Sequence, residues 1–233
     1  ELDEHGADAG YITRVEAFLD VVRNWRPAAL RVTRAAASLA SPNGDLRQRR
    51  IWIPPMHPLS SALFAAAFRG SGYDAVPMPT ETRADLEVGQ RVTRGCECLP
   101  MRTTAGAFLN AIAAPAERER QHALFMPTAT GPCRFGQYAT LDRLILERGG
   151  HTDIPILSPS GDNAYCGLDS EVRRALWKAL LAGDALENLA CTVRPYETTA
   201  GDADAAFACW QAEAERTLEA RGNLLAVVRR AGE

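Results

Sequence analysis

Two strand–helix–strand patterns constrain this chain more than any other feature. Ile51, Trp52, Ile53 and Pro54 form a short apolar run, residues 60–69 follow as a helix stopped by Gly70 and Gly72, and residues 74–79 form a second run. The pattern returns with a buried strand over 122–126, helical periodicity over 133–148 ending at Gly149 and Gly150, and a strand over 153–157. Strands joined through a helix pair in parallel, and the crossover is right-handed. The expectation is an α/β fold of two Rossmann-like (flavodoxin-like) lobes, with parallel strands and flanking helices. Residues 1–46 would be a helical lead-in, 47–118 the first lobe, and 119–233 a second lobe with C-terminal helices.

Between the third strand and its helix stands Met126-Pro127-Thr128-Ala129-Thr130-Gly131-Pro132-Cys133-Arg134-Phe135-Gly136-Gln137-Tyr138. Pro132 suits a first helical position, where its missing N–H costs nothing. That reading places Cys133 in the first turn, where free N–H groups and the positive dipole end favour a thiolate or an anionic cluster. The turn lies at the carboxyl edge of the sheet, where open α/β folds bind ligands. The plain alternative is a buried cysteine beside a helix cap.

The same logic marks Gly95-Cys96-Glu97-Cys98-Leu99-Pro100, a cysteine and a proline ahead of a helix expected over 103–113, with Thr103 or Thr104 as its cap. Elsewhere a helical pattern runs from Tyr11 to about Leu39, with Ile12, Val15, Phe18, Leu19 and Val22 on one face and a break at Pro27. Arg47 to Arg50 reads as a solvated lead-in to the first strand. A loop rich in threonine and acidic residues follows the second. Further helices are expected at 169–182, 184–190 and 203–221, with Val193-Arg194-Pro195-Tyr196-Glu197 as an extended edge.

Composition narrows the function. A net charge of -3 predicts neither a nucleic-acid surface nor a polybasic membrane contact, and Lys178 is the only lysine. No apolar run approaches the ~18 residues that span a bilayer, and no signal-peptide pattern is visible. Six cysteines in 233 residues are too sparse for a disulfide framework, so reduced thiols in a cytoplasmic protein are expected. Neither Gly-x-Gly-x-x-Gly after the first strand nor Gly-x-x-x-x-Gly-Lys occurs, which removes the dinucleotide fingerprint and the P-loop.

Gly-x-Glu-Cys-x-Pro, a strand ending in Met-Pro, Gly-Pro-Cys-Arg-Phe-Gly-Gln-Tyr, Pro-Ile-Leu-Ser-Pro-Ser and Arg-Pro-Tyr-Glu occur in that order over residues 48–200. The set resembles the acyl-CoA dehydratase activase-related family, kin of the 2-hydroxyacyl-CoA dehydratase and benzoyl-CoA reductase subunits. The resemblance implies doubly wound α/β domains and a [4Fe-4S] cluster fed by an ATP-hydrolysing activase. That cluster would pass single electrons to an acyl-CoA substrate. Cys98 matches the Glu-Cys-x-Pro cysteine and Cys133 the Gly-Pro-Cys cysteine, so these two are the implied cluster ligands. Cys96 stands where the family more often has arginine and receives no role. The family's third ligand comes from a downstream domain that this chain does not reach, which implies a piece of a longer protein.

Apart from the resemblance, two thiolates at helix starts on one sheet edge suit one iron–sulfur cluster. Cys166, on the loop after the fourth strand, is a weaker third metal candidate. A zinc-binding structural domain using Cys96, Cys98, Cys133 and Cys166 lacks a recognised ligand spacing. A non-catalytic interaction module of a larger activase-type protein is the other alternative. Cys191 and Cys209 fall in apolar helical patterns and are expected in the core. His5, His122 and His151 are expected at the surface or as caps, and His57 at the carboxyl edge. Asp162 and Asn163 suit polar contacts or a turn, and Arg134, beside Cys133, suits offsetting cluster charge or pairing with a carboxylate.

Overall fold

The computed structural model describes residues 8–24, 46–129 and 131–233. The chain divides into one unit of Glu1–Ala36 and a second of Ala37–Glu233. The first contains a single described helix, α1 (Asp8–Asn24), on which Ile12, Val15, Phe18, Leu19 and Val22 are exposed. The later part of the helical pattern expected up to Leu39 lies outside the described residues, as does His5.

The second unit is built on four parallel strands: β1 (Arg50–Ile53), β2 (Asp74–Pro77), β3 (His122–Phe125) and β4 (Ile156–Leu157). Their order is β2-β1-β3-β4. Alternation along each strand sends side chains to two cores. Trp52 and Leu124 point to the face covered by α4 (Leu99–Ala113) and α5 (Tyr138–Arg148), where Met101, Phe108 and Ile145 are buried. Ile51, Ile53, Ala123 and Phe125 point to the other face, covered by α2 (Pro58–Gly70) and α6 (Ser170–Val193). Behind α2 and α6 pack α7 (Asp202–Glu219) and α8 (Leu224–Gly232).

The α/β class with parallel strands and flanking helices holds. The two expected lobes, however, share one sheet: Arg50 of β1 is in register with both Asp74 of β2 and His122 of β3. A boundary near residue 118 thus falls inside one sheet. The reversal of strand order between β1 and β3 opens the crevice in which such folds place ligands.

Several local expectations change. Residues 83–92 form a helix, α3 (Arg83–Val92), rather than a loop. The Asp85 carboxylate accepts from the backbone N–H and the hydroxyl of Thr82, each at 2.8 Å, which closes its first turn. Only Gly89 of α3 is buried, and a Cβ there would overlap the Arg102 carbonyl of α4. A Cβ on Gly106 would likewise overlap the Asp85 carbonyl. The two helices therefore touch backbone to backbone.

Helix α4 begins at Leu99, with Cys98 rather than Thr103 or Thr104 at its N-cap. The two helices expected at 169–182 and 184–190 are one continuous helix, α6 (Ser170–Val193), because Gly183 sits buried against Leu63 and Leu59 of α2 instead of breaking the chain. The expected extended edge at 193–197 is the end of α6 and a 3-10 turn, Arg194–Tyr196. Cys191 and Cys209 are exposed, on the outer faces of α6 and α7. Arg50 is not a solvated lead-in: it belongs to β1 and pairs with Asp74 at 3.0 Å and Glu117 at 2.6 Å.

Candidate functional site

Helices that return over a parallel sheet start at its carboxyl edge, and here α4 and α5 bring Cys98 and Tyr138 together. Cys98 has the extended backbone of an N-cap residue, φ -66° and ψ 154°. The proline at the second helical position has no N–H to leave unpaired. The half-buried thiol packs on the core formed by Met101, Tyr138 and Phe108. Its Sγ lies 2.7 Å from the Tyr138 hydroxyl. Phe135 stacks edge-on against the Tyr138 ring, with centroids 5.3 Å apart, and fixes its plane.

Pro132 and Cys133 precede a one-turn 3-10 helix, Arg134–Gln137, and Cys133 is its exposed N-cap residue. Cys133 is thus ahead of the turn rather than inside an α-helix, because α5 proper starts at Tyr138. Ionisation of Tyr138 is pushed far up, first by burial, then by the Cys98 hydrogen bond, then by Cys98, Cys133 and Asp142 as negative neighbours. Tyr138 therefore keeps its proton and can donate to a sulfur.

The loop before α4 is tied to this group. The Glu97 carboxylate accepts from the backbone N–H of Arg94 at 3.0 Å and of Gly95 at 2.9 Å. Backbone N–H bonds from its own residue, Arg94 and Gly95 hold that carboxyl below the usual range, against a small burial effect. Arg134 donates to the Cys96 carbonyl at 3.0 Å, which clasps the two cysteine loops together. Arg134 thus serves the backbone of this loop, and Cys96 itself is exposed. A cavity of about 190 Å³ lies between the loops, lined by Cys96, Glu97, Cys98, Met101, Arg134, Gln137, Tyr138 and Leu141; Cys133 is not in its wall.

One turn along α5 from Tyr138, Asp142 is buried at 2% exposure, and its Oδ2 has no hydrogen-bond partner. Burial pushes its carboxyl up to about 8, so it is neutral at pH 7. Neither Tyr138 nor Asp142 was assigned a role on sequence grounds. The available signal was an aspartate at i+4 from the tyrosine, on the same inward face as Ile145 and Leu146.

Cys166 does not join the other two. It is buried among Ile51, Phe125, Leu157 and Val172, on the face covered by α2 and α6, whereas Cys98 packs on the opposite face. Burial pushes its thiol up, against hydrogen bonds from Ser158 and Asn163. Asn163 accepts from the Ser160 and Cys166 N–H groups, so it shapes the turn; the side chain of Asp162 lies outside the described set. His57 caps α2, accepting from the Ser60 N–H at 3.3 Å. His122, expected near the surface, is buried. Among the described residues no three His, Cys, Asp or Glu side chains converge to hold a metal ion.

The site therefore sets the Cys98 thiol against the Tyr138 phenol, with the exposed Cys133 on the loop that Arg134 joins to it. No helix among the described residues is long and apolar enough to cross a membrane. Comparison with protein-family models, with curated proteins and with solved structures found no match.

Proposed function

We propose that Cys98 and Cys133 form a two-thiolate half-site for a [4Fe-4S] cluster. The chain would act as an electron-transfer component related to the 2-hydroxyacyl-CoA dehydratases, in the reducing cytoplasm. The observation that supports this reading is the 2.7 Å contact of the Cys98 sulfur with the Tyr138 hydroxyl, with the Cys133 loop tied to the Cys96 loop through Arg134. When bound, the cluster would supply single electrons for an acyl-CoA substrate, recharged by an ATP-hydrolysing activase. The chain's own part is ligation and tuning. A phenol held protonated donates to a ligand sulfur, and hydrogen bonds to cluster sulfurs raise the potential. Met101 and Leu141 keep one wall of the cavity apolar and limit water. The remaining ligands come from outside these two loops.

Anaerobic reconstitution with iron and sulfide tests the proposal. Brown protein with broad visible absorption and matched iron and sulfide is expected, lost in Cys98→Ser and Cys133→Ser with circular dichroism unchanged. Colourless protein without iron would leave the interaction-module reading, and stoichiometric zinc the structural one.

A further inference from the structure

At the C-terminal end of α2, on the helical face opposite the thiol pocket, lies a second cavity of about 200 Å³. Three cations converge on it. Arg174 and Lys178 stand one turn apart on α6, and Arg221 comes from the junction between α7 and α8. Arg221 occupies the left-handed position past the end of α7, φ 55°, where helices usually place glycine. Its Nε donates to the Gly70 carbonyl, which anchors the side chain against α2. Its guanidinium also faces Glu171 at 3.8 Å, the one carboxylate in the wall.

Arg174 and Lys178 have neither an ion pair nor a hydrogen bond among the described residues. In a chain of net charge -3, this leaves a local positive excess of two around a cavity. The volume is several times the ~30 Å³ share of one water molecule. Leu224, the first residue of α8, and Gly222 contribute to the wall. Leu218 and Ala175 supply an apolar side. Cations and a small apolar wall together match a compact dianion carrying a short organic group.

We propose that this cavity binds phosphate, as the free dianion or as the head of a small phosphomonoester. Lys178 is the point charge and Arg174 and Arg221 are the planar donors, a division of labour suited to phosphate oxygens. The site is separate from the cysteines, so its test does not depend on the iron reading.

Because Lys178 is the only lysine, reductive methylation with ¹³C-formaldehyde labels one side chain besides the chain's amino terminus. Titration with inorganic phosphate, at ionic strength held constant with chloride, is expected to shift the labelled Lys178 signal saturably. Arg174→Ala should weaken the midpoint at least fivefold with unchanged circular dichroism. Phenyl phosphate binding more tightly than inorganic phosphate identifies a phosphomonoester site, and equal binding identifies free phosphate. In the unlabelled protein, Lys178→Glu should abolish a phosphate-dependent rise in Tm. A linear response, a response matched by chloride, or an unchanged midpoint in Arg174→Ala overturns the proposal. The cations would then only neutralise the carbonyl ends of α2 and α7.

Discussion

The Trp52 indole N–H donates to Nδ1 of His122 over 3.2 Å, across the β1–β3 pairing that joins the two halves of the chain. Since Nδ1 accepts, Nε2 carries the hydrogen and meets the Glu117 carbonyl at 3.0 Å. His122 is therefore neutral when folded, and burial, its largest influence, holds its protonation below the ordinary histidine range. A depressed histidine means that the unfolded chain binds the proton first. Its contribution is present above the unfolded value near 6.5 and is lost as pH falls below it. His122→Ala should cost about 2–3 kcal/mol, from a cavity and an unpaired Trp52 N–H. Urea melts at pH 7.5 and 5.5 check this. An equal midpoint in the variant, or the same loss on acidification, would count against the bond.

Asp142 works in the opposite direction. Its carboxyl is raised to about 8 in the fold from an ordinary value near 3.8, so the folded protein holds a proton that the unfolded chain releases. The stability present at low pH is lost as pH rises through about 4 to 8. Asp142→Asn removes this titration at nearly constant shape. It should flatten the fall in Tm between pH 5 and 8 and stabilise by roughly 1–3 kcal/mol at pH 8. A parallel pH profile in the variant would show that Asp142 is not the group responsible.

Tyr138→Phe removes the hydroxyl that contacts the Cys98 sulfur. Hydrogen bonds to charged acceptors are worth ~1.5–3 kcal/mol, so alkylation of Cys98 at pH 8 should slow by about tenfold. Peptide-resolved mass spectrometry separates Cys98 from the exposed Cys96 and Cys133. Faster alkylation would mean that the thiol donates to the phenol oxygen instead.

Gly106→Ala offers a test of sign. In an isolated helix this change stabilises by up to about 1 kcal/mol. Here the new methyl meets the Asp85 carbonyl and Gly89 backbone of α3, and a loss of about 2–3 kcal/mol is expected. An unchanged thermal midpoint would show that α3 is not held against α4.

The parallel strands were legible because each is a short apolar run bounded by glycine, proline or polar residues. All four were expected within a few residues of their bounds. Helix α3 was missed because it docks closely through Gly89 and Gly106 and offers only a short apolar side, of which Val92 reaches the core, among many charged residues. Cys98 and Cys133 were named from their helix-start positions, and the fold brings Cys98 to Tyr138. Cys166, the weaker third candidate in sequence, turns to the other face. An offset along the chain after a strand does not say to which face of the sheet a side chain turns. The same blindness made Cys191 and Cys209 look like core. Apolar neighbours at helical spacing do not reveal which face lacks a partner.

Local chemistry by itself determined which residues form strands, where helices return and which loops carry thiols. Hydrophobic periodicity, proline and glycine act over a few residues and are written into the chain order. Tertiary structure alone decided that β1 pairs with β3 and makes one sheet of two halves. It also decided that a phenol from α5 meets a thiol from the loop before α4, and that Asp142 is sealed from water. Each of these depends on surfaces from distant segments excluding solvent together. Strand pairing, sulfur contact and carboxyl burial are properties of that shared surface rather than of any one segment.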